Sequence, residues 1–174
     1  DIEDVATQYF GLQVSNYRLE ELARDTEATL RLKGMRSAEV LAAVGELRRR
    51  ADLFFELFPA REGRTVFDNR EEFLEVHGGE YSALLNALTR LETEFSRLKE
   101  RPEEINNLAR RAGELRKAFE VVLETRERNL VYWWERRGRG VFVEASPIDV
   151  SSILRERLFQ RVESVILTSA TLAV

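Results

Sequence analysis

The chain has 174 residues, enough for one domain of ordinary size with a real core. Charged residues make up 33% and hydrophobic residues 44%, with only three prolines, which excludes a disordered chain and favours a helix-rich soluble one. The net charge of −4 excludes a global attraction to nucleic acid, and the lack of cysteine excludes disulfides, cysteine-ligated zinc and an iron–sulfur cluster within the chain.

There is no signal peptide and no long apolar span, so the expected setting is cytoplasmic, without a membrane partner. The chain opens on Asp1, mid-pattern and without an initiator methionine, as expected of a piece of something larger. Ile2, Val5, Ala6 and Tyr9 stand at helical spacing in a short first helix. Phe10 to Ser15 alternates weakly, as a short strand or an extended link does. Ser15 or Asn16 can cap the next helix by accepting from free first-turn amides. Leu19, Leu22, Thr26 and Leu30 form its stripe, and Gly34 ends it.

Ser37 begins a longer helix with Val40, Val44, Leu47, Ala51, Phe54 and Phe58 at alternating steps of 4 and 3, stopped by Pro59. The pattern returns at Tyr81, Leu84, Leu88, Leu91, Phe95 and Leu98, and again at Ile105, Leu108, Ala112, Leu115, Phe119 and Val122. Pro102, Glu103 and Glu104 open the last of these, where proline and acids are favoured. Such 3/4 spacing is a coiled-coil-like seam. Helices of about 20 residues are about 30 Å long, and short links predict an elongated antiparallel bundle. In the less regular link, Thr65-Val66-Phe67 reads as a scrap of strand, and Asp68 as the cap of a short helix ending at Gly78-Gly79. His77, the only histidine, is expected at the surface beside Gly78 rather than in a histidine-based zinc site or a Ser/His/Asp triad confined to this chain.

From Asn129 the period becomes alternating. Leu130 to Trp134 and Val141 to Val143 flank Arg136-Arg137-Gly138-Arg139-Gly140, a hairpin signal with glycines in the turn. Pro147 and Asp149 lead to a helix with Ile153, Leu154, Leu158 and Phe159. After it the apolar run Val165-Ile166-Leu167 enters Thr168-Ser169-Ala170-Thr171-Leu172. Strand, helix, strand is an α/β signature. The expected fold class is therefore mainly α: an elongated antiparallel helical bundle with a small α/β portion. The chain divides into three segments, 1–15, 16–129 and 130–174, the middle one helical.

Val165 to Leu172 resembles the S-A-T motif of superfamily-2 helicases in its DinG/XPD form. Tyr132-Trp133-Trp134-Glu135, Ala145-Ser146-Pro147-Ile148-Asp149-Val150 and Leu154-Arg155-Glu156-Arg157-Leu158-Phe159 keep the order and spacing of DinG-type helicases. Glu3-Asp4-Val5-Ala6-Thr7 is similar to the stretch immediately after the D-E-A-H box in those proteins. Across roughly residues 35 to 125 the likeness is architectural only. The resemblance implies that segment 1–15 comes after the D-E-A-H box, that 16–129 is the helical arch inserted in the first motor domain, and that 130–174 returns to that domain and ends in the S-A-T motif. It implies ATP-driven 5′-to-3′ movement on single-stranded DNA or a forked duplex, with the rest of the motor domain as partner. It further implies DNA repair as the setting, and ATP and magnesium in the parent, while the chain itself holds no cofactor and no metal. The family's iron–sulfur cysteines, where present, would lie upstream.

Thr168, Ser169, Ala170 and Thr171 are, on this resemblance, the residues that couple ATP hydrolysis to DNA movement; Ser169 and Thr171 would contact the D-E-A-H segment. No catalytic set is complete in the chain, because it has neither a Gly-rich phosphate loop with a following Lys-Ser or Lys-Thr nor a D-E-A-H sequence. Tyr132, Trp133 and Trp134 with Arg136, Arg137 and Arg139 are the candidate DNA-binding cluster, since single strands are held by bases stacking on aromatic faces and phosphates meeting cations. Alternation requires at least one of Trp133 and Trp134 to face the core. The runs Arg48-Arg49-Arg50, Arg110-Arg111 and Arg116-Lys117 read as solvated, ion-paired faces or as a channel lining. Asp1, Glu3 and Asp4 read as a charged helix start. The alternative reading is a stand-alone helical interaction module without a motor, since the same seams build adaptors.

Overall fold

Helix boundaries in this chain are set by local chemistry. The computed structural model describes residues 12–125 and 129–148. After strand β1 (Leu12–Ser15), helix α1 spans Asn16–Leu32, and the Ser15 hydroxyl accepts from the Arg18 amide at 3.2 Å. Gly34, at φ 64°, ends it: the Met35 amide reaches back to the Leu30 carbonyl at 2.9 Å and that of Gly34 to Arg31 at 3.1 Å, a Schellman closure. Helix α2 spans Ala38–Glu56 and begins at Ser37, whose hydroxyl accepts from the Val40 amide. It stops short of Pro59, as expected. Strand β2 is Gly63–Val66.

Helix α3 departs from expectation. It runs from Arg70 to Arg97 without ending at Gly78-Gly79, and Asn69, not Asp68, stands at its N-cap. The break signal produces only a kink at His77, at φ −117° and ψ 19°. Neither glycine takes the positive φ that ends a helix. Phe73 before the kink and Tyr81 and Leu84 after it also pack on the same core. A Cβ built on Gly78 or Gly79 meets nothing within 4 Å. Replacing both with alanine is therefore expected to raise unfolding free energy by about 1–2 kcal/mol, read as a higher denaturant midpoint with an unchanged slope. A lower midpoint would mean that the kink needs glycine.

Helix α4 (Glu103–Glu124) starts after Pro102 and leads to the hairpin β3 (Leu130–Arg137) and β4 (Gly140–Pro147). The described residues are mainly helical, with one antiparallel sheet of order β1-β4-β3-β2. Each helix packs on the next, and α4 returns to α1. Helices α1 and α4 also lie against β1 and β4, on the sheet's inner face. The apolar stripes meet in one core: Leu19, Leu22, Val44, Leu47, Leu88, Leu91 and Val122 are each at most 1% exposed.

An aromatic chain joins the helices to the sheet. Phe54 meets Phe119 of α4 and Phe58 just past the end of α2 at 5.7 Å, and Phe58 meets Trp134 of β3 at 5.8 Å. Tyr81 sits in this layer. Burial and the Glu124 carboxylate, 2.7 Å from its hydroxyl, push its phenol well above the usual range.

Candidate nucleic-acid interface

The hairpin turn is Gly138-Arg139. Gly138 has positive φ, 56°, and Arg139 does not, as in a II′-type turn. Period-two alternation then sorts the strands. Tyr132, Trp134, Val141, Val143 and Ala145 form the inner face, and Trp133, Glu135, Arg137, Phe142 and Glu144 the outer one.

All three predicted stacking rings are enclosed. Tyr132 and Trp134 are 7% exposed and Trp133 is 9% exposed. The Arg70 guanidinium lies over the Tyr132 ring and donates to the Val122 carbonyl at 2.8 Å. Arg64 lies over Trp133 at 4.8 Å. A base could stack on these rings only by displacing the groups that already cover them. Tyr132 Oη and Trp133 Nε1 are buried and find no hydrogen-bond partner among the described residues.

The three predicted arginines diverge. Arg136 is structural: its Nε and Nη2 donate at 2.8 Å to the Pro59 and Phe58 carbonyls just past the end of α2. Arg137 pairs with Glu135 at 3.0 Å, lies over the Phe142 ring at 4.8 Å, and leaves 58% of its side chain in solvent. Arg139 is exposed and pairs with no described carboxylate; its carbonyl accepts from Asn16 Nδ2 at 2.7 Å.

Two further aromatic residues join them. Tyr17, 51% exposed, meets Phe142 edge-on at 5.8 Å and 70°. Gly140 lets them close over the turn, because a Cβ there would stand 2.7 Å from each ring. The signal for both was present in the sequence. Tyr17 falls off the Leu19, Leu22, Thr26 and Leu30 stripe, and Phe142 lies between inward Val141 and Val143. Gln13, Tyr17, Arg18, Arg24 and Phe142 line a shallow cleft of about 330 Å³ together with Glu20 and Glu21. The neighbouring β2 side adds Arg61 and Arg64, with Glu62 accepting from the Gly138 amide at 2.9 Å. Around this turn five arginines (61, 64, 136, 137, 139) stand against two glutamates (62, 135), a local positive excess in a chain of net charge −4.

The basic runs on the helices are mostly committed to carboxylates. Arg48 grips Glu20 at 2.8 Å and Glu27 at 2.5 Å across α1 and α2, holding the Glu27 carboxyl below its ordinary range. Arg49 and Arg50 meet Glu46, Arg110 meets Glu114, Arg111 meets Asp25, and Arg116 meets Glu92 and Glu120. Lys117 has no such partner among the described residues. His77 is half-buried against Phe73, with ring centroids 5.0 Å apart.

The coupling candidates Thr168, Ser169, Ala170 and Thr171 lie outside the described residues, as do Asp1, Glu3, Asp4 and the helix expected after Pro147. Among the described residues, no helix is long and apolar enough to cross a membrane. No protein-family model and no curated protein matches the chain.

Proposed function

We propose that this chain is the arch insertion, with flanking motor-domain segments, of a DinG-type ATP-dependent DNA helicase of the cytoplasm. The helices form the antiparallel bundle that encloses single-stranded DNA moving 5′ to 3′, and help to part the duplex. Thr168, Ser169 and Thr171 transmit the nucleotide state. ATP and magnesium are bound by the parent through motifs outside this chain.

One structural observation carries the reading. Strand β1 pairs with β4, from Leu12 opposite Ala145 to Ser15 opposite Phe142. The chain thus enters and leaves its helical part side by side, as an element inserted into a host domain must. The exposed arginines beside the turn, Arg137 and Arg139, supply the local positive charge that the net charge denies.

ATP hydrolysis by the full-length parent, with and without single-stranded DNA, tests this. Strong stimulation by DNA is expected, and no hydrolysis from a folded parent would refute the motor. In the same protein Thr171→Ala is expected to lower unwinding per ATP severalfold while hydrolysis continues, the scale of a lost coupling of ~1 kcal/mol. The interaction-module reading draws on Leu41 and Leu53 of α2, 48% and 44% exposed, and predicts a parent with no ATP hydrolysis.

A further inference from the structure

We infer that the outer face of the β3–β4 hairpin, at the foot of α1, binds single-stranded DNA: a base stacks on Tyr17 while backbone phosphates meet Arg137 and Arg139. The ligand class rests on the helicase reading. The surface itself rests on its own chemistry.

Tyr17 is half in solvent, and its edge-on contact with Phe142 does not sandwich the ring. Gly140 fixes this geometry by leaving room for both rings above the turn. Arg137 lies over the Phe142 ring, so cation and aromatic surface are continuous. Arg139 is exposed and unpaired among the described residues. Arg18 keeps its charge at the cleft, with one N–H held on the Gln13 carbonyl at 2.5 Å. The acids of the cleft are partly neutralised from outside it: Arg48 holds Glu20 at 2.8 Å, and Arg111 stands 3.9 Å from Glu21. Glu135 is shared between Arg137 at 3.0 Å and Arg64 at 3.6 Å. An exposed aromatic ring beside the unpaired Arg139, and beside an Arg137 that shares its only carboxylate with Arg64, suits a strand whose bases are free to stack, because a duplex hides its base faces. Stacking and phosphate contacts of this kind carry no base-edge readout, so binding through Tyr17, Arg137 and Arg139 is expected to be independent of sequence.

The test is anisotropy of a labelled oligo(dT) of about 20 nucleotides titrated with the 174-residue chain at low salt. Tyr17→Ala should weaken binding about tenfold, the scale of one lost base–aromatic stack, and Tyr17→Phe should restore it. The double variant Arg137→Gln with Arg139→Gln should weaken binding and flatten the salt dependence by about 1.4 units of slope, two lost phosphate contacts on a single strand. Arg49→Gln with Arg110→Gln, on the helices, should change neither. The inference is overturned if the wild-type chain does not bind, if Tyr17→Ala binds as wild type does, or if a blunt duplex of equal length binds as tightly as the single strand. DNA-stimulated ATP hydrolysis by the parent together with no binding here would sink this surface alone. Binding here with no hydrolysis by the parent would sink the motor and leave the surface.

Discussion

Phe54→Ala is expected to cost the fold about 3–5 kcal/mol, the range for deleting a buried aromatic side chain that its surroundings cannot fill. The residue is fully buried, and five rings surround it: Phe55 at 5.2 Å, Phe58 and Phe119 at 5.7 Å, Phe73 at 6.1 Å and Tyr81 at 6.2 Å. These neighbours belong to α2 and its C-terminal end, α3 and α4, so a void at Phe54 is walled by helices that cannot all move inward together. Edge-to-face contacts add roughly 0.5–1.5 kcal/mol per pair beyond area burial. The expected readout is a fall in melting temperature of roughly 6–20 °C for a chain of this size. Phe54→Leu should lose much less, since it keeps most of the volume. Val76→Ala, at a position 68% exposed, should be near neutral. A loss below about 1 kcal/mol for Phe54→Ala would show that the ring cluster does not join helices and sheet as one core.

The helical part was legible because its signals are local. Ser15, Ser37, Gly34 and Pro59 act within one turn of where they stand, and the 3/4 stripes report burial directly. Gly78-Gly79 misled for the converse reason. Their local message is to stop, but Phe73 on one side and Tyr81 on the other are held by the same aromatic layer, and that tertiary packing carries the helix through. The aromatic run 132–134 showed its alternation but not its cover. Arg64 and Arg70, which lie over Trp133 and Tyr132, come from segments more than 60 residues earlier. The arginine runs were ambiguous for the same reason. Arg48 finds Glu27 on α1, Arg111 finds Asp25, and Arg116 finds Glu92 on α3, pairings that no window along one helix displays. Tyr17 and Phe142 were readable in principle, since each falls on the wrong side of a pattern whose apolar face was already clear.

On the arch reading proposed above, excising residues 17–140 from the parent, with a two-residue Asn-Gly turn between Asn16 and Val141, should leave ATP hydrolysis standing and abolish most strand separation. The geometry makes the graft short. Asn16 Oδ1 accepts from the Val141 amide at 3.0 Å, and Ser15 lies opposite Phe142 in the β1–β4 ladder. A two-residue turn closes such an antiparallel pair without strain. The excision removes β2, β3 and the helices, so Val14 and Val143, both fully buried, lose the cover of their inner face. Threonine at these two positions keeps the β-branched shape that strands favour while tolerating water. The DNA-free hydrolysis rate then reports whether the motor remains folded. Against that rate, unwinding per ATP is expected to fall by about 5- to 150-fold, the span of a lost coupling of 1–3 kcal/mol between two parts of a protein. Unwinding that survives the excision would mean the helices take no part in separating strands. Their exposed leucines, Leu41 and Leu53, would then mark them as a surface for another protein.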